Sequence, residues 1–263
     1  RRHSAVRESW ATAAMTAAVA RSTFSIQATQ AMPQPVTLVT GASRGIGAAI
    51  AADLTDQGHL VIGLSRSKPA AFKGEFIAVD LGDAAATSKV LADITRRHKV
   101  TRLVNNAGVA LVSDLSKTTG SDYDTMMNLN VRALLPAMRD ARFGRIVNIG
   151  SRAALGKQTR AVYGATKAAI LALTRTVALE NPGYGITANC IAPGPIATEM
   201  LQVNYPDGSP QRAAFLKQIP TGRIGTPTEI AHACAYFLDD RAWYTTGQVL
   251  YVCGGMSIGQ VPI

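Results

Sequence analysis

From residue 36 onward the chain alternates short, β-branched apolar runs with longer stretches rich in Ala and Leu. Val36–Thr40 reads as a buried strand, and Gly45 to Gln57 as a helix ended by Gly58. His59–Leu64 and Phe76–Val79 follow as the second and third strands, Leu103–Asn105 as the fourth and Arg145–Ile149 as the fifth. Ala161–Leu179 is a long helical stretch that stops before Pro182, and Thr187–Ile191 and Gln248–Val252 are the sixth and seventh strands. Runs that are apolar throughout, rather than alternating, belong to strands covered on both faces. Strands separated by helices imply parallel pairing through right-handed crossovers. The expected fold is α/β: a doubly wound, seven-stranded parallel sheet with helices on both faces and the ligand at the carboxyl ends of the strands.

Composition bounds the organisation. The chain has 263 residues, 47% hydrophobic and 17% charged, which suits one domain with a large core. Residues 1–31 break the pattern, being rich in Ala, Ser, Thr and Arg, with Arg1, Arg2, Arg7 and Arg21 against Glu8. They resemble a mitochondrial or plastid transit peptide. They equally suit an upstream extension, since Met32–Pro33 would make a natural start just before the first strand. The second reading is preferred: 1–33 as a disordered or non-native extension, 34–263 as the domain, in the cytoplasm unless the leader is genuine. No apolar run is long enough to span a bilayer, so no membrane partner is expected. The net charge is +10, dispersed outside the leader, and reads as a solvated surface with part available to an anionic cofactor or substrate. No basic stripe interleaved with aromatics points to nucleic acid. Cys190, Cys234 and Cys253 form no Cys-x-x-Cys pair, so neither a disulfide framework nor a metal site is expected.

The first chemical signal is Thr40-Gly41-Ala42-Ser43-Arg44-Gly45-Ile46-Gly47, placed between the first strand and the first helix. Glycines there let the backbone turn sharply and approach a pyrophosphate, and the helix amino terminus offers unpaired N–H groups and a favourable dipole. Further on come Asn105-Asn106-Ala107-Gly108 after the fourth strand, Ser151 after the fifth, Tyr163-x-x-x-Lys167, and Pro193-Gly194 after the sixth. In this order, over residues 35–256, these motifs resemble the short-chain dehydrogenase/reductase family. The resemblance implies a single-domain Rossmann fold with strand order 3-2-1-4-5-6-7, a nicotinamide cofactor and hydride transfer at a carbonyl or alcohol carbon.

The end of the second strand reads Leu64-Ser65-Arg66, with no acid to bind the ribose hydroxyls of NAD. Arg66 can grip a 2′-phosphate, and Arg44 lies on the same side; by resemblance the pair marks NADP(H)-preferring members, although either could be a surface charge. Also by resemblance, Gly41, Ser43, Arg44, Gly45, Ile46 and Gly47 cradle the cofactor, Asp80 and Leu81 border its adenine, and Asn106, Ala107 and Gly108 line its path. Pro193 and Gly194 begin the turn of the chain beneath the nicotinamide, and by resemblance Ile196 and Thr198 hold the carboxamide. Asp80 could instead cap a helix.

Tyr163 and Lys167, four apart on a helix, project from one face. A lysine cation and an oxidised nicotinamide nearby favour the phenolate and lower its pKa, so Tyr163 is expected to exchange its proton with substrate near neutral pH, while Lys167 also holds the nicotinamide ribose. Ser151 would polarise the substrate oxygen, or serve only as a turn or cap residue. The family's fourth catalytic member, an asparagine, is Asn130, with Asn128 as competitor. Glu199 to Gln218, rich in Pro and Gly, reads as a loop that closes over substrate. After Asn130 the chain reaches Arg145 about seven residues early for the family, roughly two helical turns.

The overall look resembles the 3-oxoacyl-(acyl-carrier-protein) reductase group. It makes a small ketone or alcohol, or an acyl thioester on an acidic carrier protein, the expected partner, with Arg142 at one docking position and the uncharged Tyr184 at the other. A homo-oligomer, tetramer or dimer, is the family habit. A silent cofactor-binding scaffold is the alternative, and the intact Asn130, Ser151, Tyr163 and Lys167 argue against it.

Overall fold

A computed structural model describes residues 34–108 and 136–258. The expectations for residues 1–33 and for Asn128 and Asn130 lie outside the described residues. One sheet of seven parallel strands has the order β3-β2-β1-β4-β5-β6-β7, as expected. The strands are β1 (Val36–Thr40), β2 (Leu60–Ser65), β3 (Glu75–Ala78), β4 (Arg102–Asn105), β5 (Gly144–Ile149), β6 (Ile186–Pro193) and β7 (Val249–Val252). The described helices are α1 (Gly45–Asp56), α2 (Ala84–Arg97), α3 (Pro136–Asp140), α4 (Ala161–Glu180), α5 (Glu199–Asn204), α6 (Pro210–Leu216) and α7 (Pro227–Leu238).

The pleat divides the core between the two faces of the sheet. On one side Val39, Val61, Val104, Val147 and Ile191 meet Ile50 and Leu54 of α1 and Ile230, Cys234 and Phe237 of α7. On the other, Leu38, Ile62, Leu103, Ile146 and Ala188 meet Ile94 of α2 and Val177 of α4. The buried positions of α1, at Gly47, Ile50, Ala51 and Leu54, recur at helical spacing and form one stripe against α7. β5 and β6 are buried along their whole lengths, so the polar residues they carry, Arg145, Asn148, Thr187 and Asn189, are buried with them.

Three elements depart from the sequence expectation. The segment read as a closing loop at 199–218 is mostly helical: Ser209 caps α6, accepting from Arg212 N, and Pro210 takes the first turn, where its missing N–H costs nothing. α7 carries a reciprocal capping box between Thr226 and Glu229 with Pro227 at its start, a signal present in the sequence and passed over. α2 is capped by Asp83, which accepts from Ala85 N and Ala86 N, so the cap is Asp83 and not Asp80.

The amino-terminal edge of the sheet holds a buried polar group. Arg102 pairs with Asp240 at 2.6 Å and donates to Leu238 O, and Phe143 lies under the guanidinium groups of both Arg102 and Arg145. Nearby, the Thr37 hydroxyl lies 2.7 Å from His59 Nδ1. Burial, then the charge of Arg102, push the His59 pKa down to about 4, against an opposing pull from Asp240. The unfolded chain therefore takes up a proton below pH 6.5 that the fold refuses until about pH 4. Stability from this residue is complete above pH 6.5 and is lost as the pH falls through that window, by at most about 3 kcal/mol. His59→Gln should lose less stability than the wild type between pH 7 and pH 4.5, measured by urea unfolding at both.

Candidate active site

In a parallel sheet the carboxyl ends separate where the strand order reverses, here between β1 and β4. The Thr40 hydroxyl closes that gap: it accepts from Asn106 N and Ala107 N, each at 3.0 Å. Asn106 Nδ2 donates back to Thr40 O at 3.0 Å and Gly41 O at 3.2 Å. Two backbone loops are thus locked side by side, and the glycines follow from it. Gly41 has φ +67°, and a Cβ on Gly47 would overlap the Gly41 carbonyl and the Asn106 side chain. The loop is tied to β2 as well, through Gly41 N to Leu64 O at 2.7 Å and the Ser43–Ser65 hydroxyl pair at 2.9 Å. The start of α1 has no side-chain cap and no acid in its first turn, which leaves its N–H groups and dipole for an anion.

The proton-handling groups lie across the cleft. Ser151 begins a short 3₁₀ turn (Arg152–Leu155) after β5, and its Oγ accepts from Ala153 N at 3.1 Å. The same side chain bonds the Tyr163 hydroxyl. Ser151 is therefore both the cap and a partner of the phenol. Lys167, 4% exposed, donates from Nζ to Ile149 O at 2.9 Å and lies 5.8 Å from the centre of the Tyr163 ring. Burial pushes its ammonium down to about 8, while the facing Cys190 thiol, itself pushed up to about 11 by burial, pulls the other way.

The protein's own groups do not by themselves acidify Tyr163. Burial raises the phenol above its ordinary value, and the opposing pulls come from the Ser151 hydrogen bond and the charge of Arg160. The low dielectric that isolates a tyrosine here penalises phenolate more than these neighbours favour it. What fixes α4 is a buried polar chain: Asn105 Nδ2 to Asn148 Oδ1 at 2.8 Å, Asn148 Nδ2 to Thr174 Oγ1 at 2.8 Å, and Thr174 Oγ1 to Ile170 O at 2.7 Å. Periodicity alone marked these residues as strand and helix interior and hid their role in positioning.

The described residues that the sequence reading gave to cofactor and catalysis border one cleft of about 1630 Å³: Gly41, Ser43, Arg44, Gly45, Ile46, Gly47, Arg66, Asp80, Leu81, Asn106, Ala107, Gly108, Ser151, Tyr163, Lys167, Pro193, Gly194, Ile196 and Thr198, whereas Arg142 and Tyr184 lie outside it. That exceeds the space a single drug-sized ligand fills, and leaves room for a dinucleotide and a substrate together. Asp80 Oδ1 accepts from Gly82 N at 2.9 Å in a tight turn. Arg66 is exposed and makes no ion pair among the described residues. Arg44 reaches instead to Glu199, the first residue of α5, at 2.6 Å, an exposed pair of modest strength. The Pro193–Thr198 stretch is held by Gly194 N to Val252 O at 2.9 Å and Ala197 N to Gly225 O at 2.8 Å. The sequence reading missed Arg152, Lys157 and Arg160, which also line the cleft, whereas Tyr205 and Phe215 lie in the 199–218 segment expected to close over substrate and line it too. The clustering of three cations between Ser151 and Tyr163 was the available signal.

Residues 41–257 match the profile of a family described as enoyl-(acyl carrier protein) reductase. The chain is 37% identical over 238 residues to the 3-oxoacyl-[acyl-carrier-protein] reductase FabG of Escherichia coli (strain K12), covering 84% of this chain and 96% of that protein. Among solved structures, an aldohexose dehydrogenase from Thermoplasma acidophilum superposes with a TM-score of 0.81 at 30% identity, covering 88% of this chain and 96% of the other. A gluconate 5-dehydrogenase from Burkholderia cenocepacia J2315, in complex with NADP and tartrate, gives 0.80 at 28% identity, with 86% and 96% covered.

The depressed Lys167 has a measurable consequence. Between about pH 8 and pH 10.5 the unfolded chain keeps a proton that the folded chain has released, so this residue makes stability rise with pH across that window. Lys167→Met should remove about 2 kcal/mol of that rise between pH 7.5 and pH 10, read from urea unfolding of both proteins.

Proposed function

Because the chain belongs to the short-chain dehydrogenase/reductase family and is an oxidoreductase acting on CH–OH and C=O groups, we propose that residues 34–263 form one NADP(H)-dependent catalytic domain that interconverts a ketone and a secondary alcohol. The observation that carries this reading is the placement of Ser151, Tyr163 and Lys167 on the same cleft as the glycine loop and Arg66. The cleft suits a dinucleotide on its own features. Added Cβ atoms at Gly41 or Gly47 would clash at the turn, and the uncapped start of α1 supplies donors for a pyrophosphate. Arg66, at the end of β2 where an acid would repel a phosphate, is free to clasp the 2′-phosphate. Arg44 can join it by leaving Glu199, since an exposed pair of this kind costs little to break.

When bound, the nicotinamide supplies or accepts the hydride. Ser151 Oγ donates to the substrate oxygen and holds it beside the Tyr163 hydroxyl. Tyr163 delivers its proton to that oxygen during reduction and withdraws it from the alcohol in the reverse direction. A phenol kept protonated by burial is ready for reduction, whereas oxidation requires added positive charge nearby to release the proton. Lys167, anchored on the Ile149 carbonyl, provides a donor at the foot of the tyrosine and holds the ribose. By resemblance to the family, Asn130 is assigned the fourth catalytic role. An acyl-thioester substrate would bring its carrier protein to exposed Arg142, which donates to Gly183 O at 3.0 Å beside Tyr184.

Tyr163→Phe should lower kcat for ketone reduction by roughly 100-fold to 10,000-fold while changing the Kd for NADPH little, measured by absorbance at 340 nm and by NADPH fluorescence titration. Loss of NADPH binding instead would assign the residue to the cofactor site alone. Arg66→Asp should lower the ratio of kcat/KM with NADPH to that with NADH by about 10-fold to 100-fold, the size of one lost charge-assisted bond.

A further inference from the structure

The segment that covers the cleft is tied to the glycine loop by an ion pair and by packing. Arg44 Nη1 meets Glu199 Oε2 at 2.6 Å, with the two side chains 71% and 73% exposed. Beside that pair, a Cβ on Gly45 would come within 3.3 Å of Thr198 Cγ2, so the loop backbone lies against the residue that caps α5. All four residues border the cleft. Beyond Glu199 the segment is stapled into one body. Arg212 Nη1 donates to Gln202 Oε1 at 3.0 Å and to Tyr205 O at 2.9 Å, and its Nη2 pairs with Asp207 Oδ1 at 2.8 Å. Gln202 Nε2 donates to Asp207 Oδ2 at 3.0 Å, and the Tyr205 and Phe215 rings stack with centres 4.3 Å apart. A displacement of α5 therefore carries α6 with it. The two ends of this block are fixed to the scaffold, by Ala197 N to Gly225 O at 2.8 Å before it and Thr221 N to Gly254 O at 3.2 Å after it. A block held so turns about its ends, and the Arg44–Glu199 pair resists that turn.

An acid in the first turn of a helix favours the helix dipole whatever its neighbours. That accounts for a carboxylate at position 199 but not for its hold on a guanidinium of the glycine loop. With NADP(H) in the cleft, one guanidinium faces two anions, the Glu199 carboxylate and the 2′-phosphate. The phosphate offers more charge and more oxygens, and an exposed ion pair is weak. Resting on the NADP(H) reading above, we propose that Glu199 is a positioning residue that holds Arg44 until the 2′-phosphate takes it, so that NADP(H), and not NAD(H), releases the α5–α6 block from the glycine loop. The carboxylate thereby lowers the affinity for NADP(H) and links the identity of the cofactor to the freedom of the segment over the substrate. By thermodynamic linkage these are one coupling free energy read at two places.

The test uses the full chain, with NADPH and NADH titrated by fluorescence into the wild type, Glu199→Gln, Arg44→Gln and the double variant. Glu199→Gln should lower the Kd for NADPH about twofold to fivefold, the range an exposed ion pair supplies, and leave that for NADH unchanged. In the Arg44→Gln background the same substitution should lose most of its effect, because the guanidinium competed for is gone. An equal gain there would come from plain repulsion between carboxylate and phosphate, and overturns the competition. A role confined to the helix dipole would move both cofactors alike, which overturns it too. Hydrogen exchange then reads the block. The amides of Leu201, Gln202 and Tyr205, bonded to Thr198 O and Leu201 O, should exchange faster with saturating NADP⁺ than with saturating NAD⁺ by about the same factor, and the difference should vanish in Glu199→Gln. Equal exchange with the two cofactors in the wild type overturns the release of the block. If Arg44→Gln leaves the Kd for NADPH unchanged, the placing of Arg44 on the 2′-phosphate fails and the proposal with it. If Arg44→Gln weakens NADPH while Glu199→Gln does nothing, that placing stands and the role of Glu199 alone falls.

Discussion

One hydroxyl sets the geometry on which the cleft depends. A parallel sheet opens a crevice where its strand order reverses, and left alone the two chain segments leaving β1 and β4 would be free to splay apart. Thr40 Oγ1 accepts from two successive amides of the opposite segment, and Asn106 answers with two bonds to the Thr40 and Gly41 carbonyls. The close approach that results is what excludes a side chain at Gly47. Glycine is demanded here by a neighbour, and the neighbour is held by the threonine that opens the glycine motif.

The same economy of polar contacts governs the far wall. Lys167 is a cation in a nearly dry site with a backbone carbonyl for a partner, and Tyr163 is a phenol with a serine. Burial works against the charged form of each, so both lean toward neutrality. That poise requires α4 to stand in one register against the sheet. The chain Asn105–Asn148–Thr174 supplies it, because a shift by one residue would leave buried amides without partners.

The strands were legible from the sequence to within two residues at each end, since a parallel sheet covered on both faces writes itself as largely apolar runs. β1 matched at both ends, and the long helix differed by one residue, Glu180. The glycine loop and the Tyr163–Lys167 pair could be read because their chemistry is local in sequence. Less was visible where the information is mutual. The helices of 199–218 hid behind prolines and glycines that punctuate a loop just as well as a helix start, and Ser209–Pro210 was the cue that separates the two. The destination of Arg44 depended on Glu199, 155 residues away. The protonation of Tyr163 depended on how much water its surroundings exclude, a property of packing that spacing does not encode.

The loop Pro193–Thr198 is pinned by Val252, and Thr221 is held by Gly254, while a side chain on Gly194 would strike the backbone of Cys253. These partners all lie on or just after β7. A growing chain can build the glycine-loop half of the sheet before β7 exists, yet until then the Pro193–Thr198 loop lacks its bond to the Val252 carbonyl. A chain cut short before β7 would keep the tie from Ala197 to Gly225 and lose the floor that Val252 and Cys253 form beneath that loop.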